Sequence, residues 1–309
     1  MIVPRRGSEV VEVDRRRGED RGLVRDRVAV EEPLEIRLEV VGASGAPAVH
    51  PVAVTMRTPG DDFELAAGFL FSEGLIRSRD EIRTISYCTG PETQEYNVVS
   101  VALREGVSFD PALLNRNFYT TSSCGVCGKA SLDAVEVKGC VPFPAGSGVR
   151  MEPRVLKQLP QALREGQGVF QRTGGIHAAA LVASDGSFRV LREDVGRHNA
   201  VDRIVGHVLL AGTVPPEEGL LLVSGRASFE ILQKALAAGI PAVAAVGAPS
   251  SLAVDLARRF GMTLVGFLSE RGFNVYTGME RVAEAGEAGA EGDGRGSPPV
   301  TPEGGGMKG

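Results

Sequence analysis

The strongest constraint on the fold is a regular alternation in the second half of the chain. Short apolar runs at 220–223, 242–246 and 264–267 are separated by helix-length segments at 229–238 and 252–260. Parallel strands joined by crossover helices produce this rhythm, because a parallel connection needs a long return path over the face of the sheet. Upstream, 153–165 and 198–210 read as helices. Residues 176–183 and 188–193 read as a strand pair turned by Asp185-Gly186, a strong hairpin signal. With a last strand near 273–276, residues 150–280 are expected to form one α/β domain.

The first half is more mixed. Residues 34–40 alternate apolar and charged side chains as a half-buried strand does, and 52–56 is a short apolar run beside Pro51. Asp61-Asp62 ahead of Phe63, Leu65, Ala66, Phe69 and Leu70, with Gly74 beyond, reads as a helix with a capping start and a glycine stop. Strands return at 82–87 and 97–103. Residues 28–140 are therefore expected to form a smaller N-terminal α+β domain, and the Pro- and Gly-bearing stretch 138–150 to link the halves. Residues 1–27 mix Arg with Glu and Asp without periodicity, and the 29 residues from Arg281 hold nine Gly and three Pro. Both 1–27 and 281–309 are expected to be disordered.

A formal charge of −5 over 309 residues argues against a protein that coats nucleic acid. The absence of Trp and an aromatic content of 5% argue against a base-stacking platform. No run approaches the roughly 20 apolar residues that cross a bilayer, and no apolar stretch follows the opening arginines. These features point to a cytoplasmic protein acting on a small ligand, with no membrane and no nucleic acid partner.

Four cysteines are too few for a disulfide scaffold, and Cys124 and Cys127 form one C-x-x-C. A structural zinc site needs four ligands, and neither a second cysteine pair nor a histidine pair is present. A thioredoxin-like redox pair needs a βαβ setting, whereas this pair follows a Thr/Ser run. A sulfur- or acyl-carrying thiol needs an accessible thiolate on a bendable segment, which Gly125 and Gly128 permit, with Lys129 near in sequence. Two inert buried cysteines are the plainest reading. A hydrolytic deaminase zinc centre has no support, because its H-x-E and P-C-x-x-C pattern is missing.

Two strand-to-helix junctions, Ser224-Gly225-Arg226-Ala227-Ser228 and Gly247-Ala248-Pro249-Ser250-Ser251, put Gly and Ser at helix N-termini. Unpaired N–H groups and the helix dipole bind anions there, although such caps and turns occur in any α/β protein. Between Arg192 and Asn199, Arg197 and His198 are candidates for phosphate or a purine edge. Asp194 is a candidate to orient one of them or to accept from a base, or else simply a helix cap. The stretch 267–272 is a third candidate loop or a plain turn.

Together these segments resemble the formate dehydrogenase accessory sulfurtransferases (FdhD-type proteins). Ser122-Ser-Cys-Gly-Val-Cys-Gly-Lys129 is similar to the family's cysteine loop. Thr173–Ala179, Glu193–Asp202, Ser224–Ser228 and Leu264–Phe267 are similar to its other segments, in family order. The resemblance spans about 28–280. It implies a cytoplasmic homodimer whose second domain is a cytidine-deaminase-like three-layer α/β/α fold without zinc or any structural metal. It implies a reaction in which a cysteine desulfurase loads sulfur onto the cysteine loop. The protein then passes the sulfur to the molybdenum of the bis(molybdopterin guanine dinucleotide) cofactor, its bound substrate, for the formate dehydrogenase catalytic subunit. By position Cys124 is the persulfide carrier and Cys127 a supporting cysteine. Phe267, Leu268, Ser269, Glu270, Arg271 and Gly272 match the cofactor-contacting stretch, beside the candidates Ser224, Gly225, Arg226, Arg197 and His198. A non-catalytic chaperone for the molybdenum cofactor and a thiol-disulfide oxidoreductase are the alternatives.

Overall fold

A computed structural model describes residues 7–41, 46–88, 96–107, 109, 140–216 and 219–283. Its larger sheet has six strands: β7 (His177–Val182), β8 (Phe188–Asp194), β9 (Leu220–Val223), β10 (Ala242–Ala245), β11 (Thr263–Ser269) and β12 (Gly272–Thr277). Their order across the sheet is β12-β11-β10-β9-β7-β8. The three central strands β9, β10 and β11 are parallel, as the alternation in sequence requires. Antiparallel strands complete both sides, β7 and β8 on one and β12 on the other.

Helices α4 (Arg197–Leu210), α5 (Phe229–Ala237) and α6 (Ser251–Arg259) cover one face, and α2 (Pro153–Gly166) covers the other. The strands sort their side chains by period two. Leu221, Val223, Val243, Ala245 and Leu264 meet Val201, Ile204, Ile231 and Leu256, whereas Leu220, Leu222, Ala242 and Ala244 meet Leu156, Leu159 and Leu163. Burial on both faces explains why these strands read as continuous apolar runs. The unit is a three-layer α/β/α domain.

The smaller unit has a four-stranded sheet of order β4-β3-β6-β5. Its strands are β3 (Glu32–Val41), β4 (Pro47–Arg57), β5 (Ile82–Tyr87) and β6 (Val98–Leu103). Helix α1 (Asp62–Ser72) packs on one face, where Leu65 and Leu70 join Leu34, Ile36, Leu38, Val99 and Val101.

Three features differ from the sequence expectations. Residues 1–27 were expected to lack order, yet Ser8–Arg17 (β1) and Asp20–Ala29 (β2) pair as an antiparallel hairpin with Gly18 at φ 60° in its turn. Charges on both faces hide the strand period, and the hairpin packs only lightly, with Leu23 72% exposed. The short helix α3 (Gly168–Thr173) is also absent from the sequence reading. At the other end, the expected disorder does not begin at Arg281. That side chain is buried and donates to the carbonyl oxygens of Gly261 (2.9 Å), Pro144 (3.0 Å) and Ser147, binding the linker to the second domain.

Candidate functional site

The carboxyl ends of β9, β10 and β11 form one edge, held together by backbone hydrogen bonds. Gly247 N donates to Gly225 O (3.0 Å), and Phe267 N donates to Gly247 O (3.1 Å). Ala227 N donates to Ala248 O (3.2 Å), and Ser250 N donates to Ala227 O (3.0 Å). The loops lie so close that a Cβ on Gly247 would sit 2.8 Å from Gly225 O. Glycine is therefore required there by space, not by helix capping.

The two serine junctions, alike in sequence, behave differently. Ser250 caps α6 by accepting from Ala253 N at 3.3 Å. Ser228 precedes α5 without a side-chain cap, and its hydroxyl donates to Glu230 Oε2 at 2.9 Å. His198 Nε2 lies 3.3 Å from Ser228 Oγ and 3.4 Å from Glu230 Oε2. The hydrogen bond to His198, joined by that from Ser228, holds the Glu230 carboxyl down at about 2, so it is ionised throughout the neutral range.

Ser224 is committed to the sheet: its Oγ accepts from Ala178 N and its own N donates to Ala178 O, each at 2.9 Å. Arg226 is exposed at the loop. Arg197 begins α4, and its Nε is buried with no hydrogen-bond partner among the described residues. A Cβ built on Gly225 would lie 3.4 Å from His177 Nδ1 and 3.9 Å from Arg197 Cδ. Arg197, His177 and the bare backbone of Gly225 thus converge at one point.

Asp194, expected either to orient a ligand group or to cap a helix, is 0% exposed. Its carboxylate accepts from Arg203 Nη2 (2.6 Å), Gly196 N (2.8 Å), Asn199 Nδ2 (3.0 Å) and Thr58 N (3.3 Å). Burial pushes its pKa up, against the pull of Arg203 and the hydrogen bonds. It shapes the turn that carries Arg197 and His198 and joins that turn to the N-terminal unit. A purine edge has no access to it.

Within 267–272 the residues separate. Phe267, at φ 53° and 52% exposed, lies on the edge. Leu268 is 1% exposed and belongs to the core beneath α2, so its side chain is turned away from the edge. Ser269 pairs with Gly272 and its hydroxyl donates to Gly272 O at 2.9 Å, so Glu270 and Arg271 form an exposed hairpin turn. Sequence reasoning gave Glu230 no role and noted His177 only as part of an upstream segment. Nothing local to either residue marks it.

Cys124 and Cys127 lie outside the described residues. Among the described residues, Cys88 and Cys140 are in no disulfide, and no group of three or more His, Cys, Asp and Glu is arranged to hold a metal ion. No described helix is long and apolar enough to cross a membrane.

Comparison with known proteins places this geometry among relatives. A family profile described as the FdhD/NarQ family matches residues 29–283. A Streptomyces avermitilis protein named sulfur carrier protein FdhD is 54% identical over 261 residues, covering 84% of this chain and 89% of that one. A protein of the same name from Mycobacterium tuberculosis is 51% identical over 265 residues, covering 83% and 92%. Among solved structures, a candidate formate dehydrogenase accessory protein from Desulfotalea psychrophila superposes with a TM-score of 0.68. It is 25% identical and the match covers 89% of this chain and 99% of that one.

Proposed function

Because this chain belongs to the FdhD/NarQ family, we propose that it is a sulfur carrier serving a formate dehydrogenase, with Cys124 as the carrying thiol. The Cys124 thiolate attacks the sulfane sulfur of a cysteine desulfurase persulfide, and the S–S bond there breaks to release the desulfurase thiolate. Cys124 then holds the persulfide, and Cys127 supports it. The acceptor is the molybdenum bis(molybdopterin guanine dinucleotide) substrate, bound at the carboxyl edge of β9–β11 before it enters the dehydrogenase catalytic subunit. Delivery to reduced molybdenum balances without another reactant. The second S–S bond breaks, Cys124 returns as thiolate, and the sulfur takes two electrons from the metal to become sulfido. The protein acts in the cytoplasm as a homodimer.

One observation supports this reading most: the edge carries Arg197 beside the bare backbone of Gly225, which a phosphate can approach closely, with Arg226 exposed next in the chain. Phe267, exposed and bonded through its backbone N to Gly247 O, belongs to the same edge. The test is peptide mass spectrometry after incubation with a cysteine desulfurase and cysteine, before and after reductant, for wild type, Cys124→Ala and Cys127→Ala. A reductant-labile sulfur on the Cys124 peptide, absent from Cys124→Ala and retained in Cys127→Ala, is the expected result. If no variant gains sulfur while guanine nucleotide still binds, the protein is a cofactor chaperone. An equal requirement for both cysteines with a reversible disulfide makes it an oxidoreductase.

A further inference from the structure

His177 is the first residue of β7 and pairs in register with Asp194 at the end of β8. Its ring stands over Gly225, beside the side chain of Arg197. Among the described residues neither ring nitrogen has a hydrogen-bond partner, and the neighbouring Arg197 Nε is buried without one. A buried guanidinium nitrogen without a partner is uncommon, since buried polar atoms are nearly always satisfied, and the half-buried His177 ring stands next to it. Both sit where three strand ends and a glycine-lined loop meet, so a ligand group is the natural partner for the two together.

The chemistry of the pair restricts that group. Arg197 offers donors only, whereas a neutral imidazole offers one donor and one acceptor. Burial holds the His177 ring below its ordinary pKa, and the Arg197 charge adds to this, with a further contribution from His198; Asp194 acts in the opposite direction, but its carboxylate faces Arg203. The free site therefore holds a neutral imidazole next to a fixed cation. An oxyanion placed between them satisfies Arg197 and reverses the field at the ring.

We propose that His177 is a proton-coupled ligand-binding residue: an oxyanion of the phosphate class binds between His177 and Arg197, and the imidazole takes one proton from water as it binds. This rests on the reading of the carboxyl edge as a ligand site and adds to it a residue and a linked proton. The N–H bond forms on the ring as one O–H bond of the hydrated proton in solvent breaks, and no other bond changes. Because the bound form holds the proton more tightly than the free form, the extra affinity is fully present below the free-state pKa. It is lost as pH rises through the bound-state pKa.

Isothermal titration of the full chain with inorganic pyrophosphate and, separately, with GDP, in buffers of different ionisation heat, counts the protons taken up. Wild type is expected to take up a substantial fraction of one proton near pH 7, with Kd rising up to about tenfold per pH unit across the window. His177→Gln is expected to lose the uptake and to keep only the pH dependence of the ligand's own phosphate ionisation, while His50→Gln, on β4 of the smaller unit, keeps the uptake. The chain has four histidines, His50, His177, His198 and His207. Ring C–H NMR of the wild type therefore reads the same event without relying on the folding of His177→Gln, each signal being assigned from the other three single variants. Uptake that persists in His177→Gln, or a His177 ring signal that does not move toward the imidazolium position on ligand addition, overturns the proposal. If neither probe binds wild type, the ligand-edge reading falls and this inference with it.

Discussion

Gly68 of α1 and Gly206 of α4 form the crossing point of the two units. A methyl group on Gly68 would lie 1.8 Å from Asp202 O, and one on Gly206 would lie 1.8 Å from Glu64 O. The helices touch backbone to backbone, and neither site has a flexible side chain that could yield. Gly206→Ala is expected to force the helices apart and cost about 3 kcal/mol, the upper part of the overpacking range. Gly22→Ala, with nothing within 4 Å of the added carbon, is the control and should change little. Urea unfolding of both variants checks this, and equal midpoints would contradict the close crossing.

The buried pair of Arg203 and Asp194 gives a second prediction. Both side chains are almost fully buried, 2.6 Å apart. Arg203→Met leaves the carboxylate buried without its cation and is expected to cost about 3–5 kcal/mol. The penalty should shrink on acidification. An Asp194 deprived of Arg203 has a folded pKa raised further above its ordinary 3.8, so stability is lost as pH rises through that folded value. Denaturant unfolding at pH 5 and pH 7 should show the smaller loss at pH 5.

How far the sequence carries the fold can be judged from particular residues. Leu220–Val223 falls where the apolar run ends, because a strand buried on both faces leaves an unbroken signal. The helix α3 escaped because its first N–H groups, at Val169 and Phe170, are held at 2.9 and 2.8 Å by Glu193, more than twenty positions away. Leu268 turns inward for a local reason. The irregular register between Gly266 and Ser269, with Phe267 at positive φ, breaks the strand alternation and turns Leu268 into the core. Arg197 and His198 were legible as a charged turn ahead of a helix. His177 reaches the same edge only through the pairing of β7 with β9, and Glu230 through the meeting of two loops. Neither is local information.

Acid sensitivity should appear at the seam between the units. Burial raises the Glu64 pKa, but hydrogen bonds from Arg192 (2.6 and 2.8 Å) and His207 (2.9 Å) outweigh it and leave the carboxyl below its ordinary 4.5. A depressed folded pKa means that this stabilisation is present above pH 4.5 and lost as pH falls through the folded value. Arg192→Met is expected to cost about 1–3 kcal/mol at pH 7 and to flatten the acid limb of the stability profile. Unfolding midpoints measured between pH 3 and 7 for wild type and variant test it, and parallel acid limbs would refute the assignment.

The β1–β2 hairpin precedes the family match, which begins at residue 29. Among the described residues its strands pair only with each other, and a two-stranded hairpin is at best marginally stable on its own. A chain starting at Glu31 should therefore unfold within about 1 kcal/mol of the full chain. A larger loss in thermal or urea unfolding would show that the contact of the hairpin with α3 supports the second domain.

The ligand edge makes a graded prediction, because its candidate residues are held in unequal ways. Arg197 is partly buried and its Nε lacks a partner, so a bound phosphate gains a charge-assisted hydrogen bond there without breaking another. Such a bond contributes about 1.5–3 kcal/mol, so Arg197→Ala should weaken pyrophosphate binding roughly 10- to 150-fold. Arg226 is exposed, and water and salt screen its charge. Arg226→Ala should weaken binding severalfold at most, and the difference should fade at high ionic strength. Ser224→Ala should instead lower stability, since the Ser224 hydroxyl already accepts from Ala178 N, and should affect affinity little. Phe267 separates nucleotide from plain phosphate. Its exposed ring can stack on a base, so Phe267→Ala should weaken GDP while sparing pyrophosphate. Calorimetric titration of the four variants with both ligands orders these effects. Equal losses for Arg197→Ala and Arg226→Ala would mean that the ligand is held by diffuse charge and not by the partnerless guanidinium of Arg197.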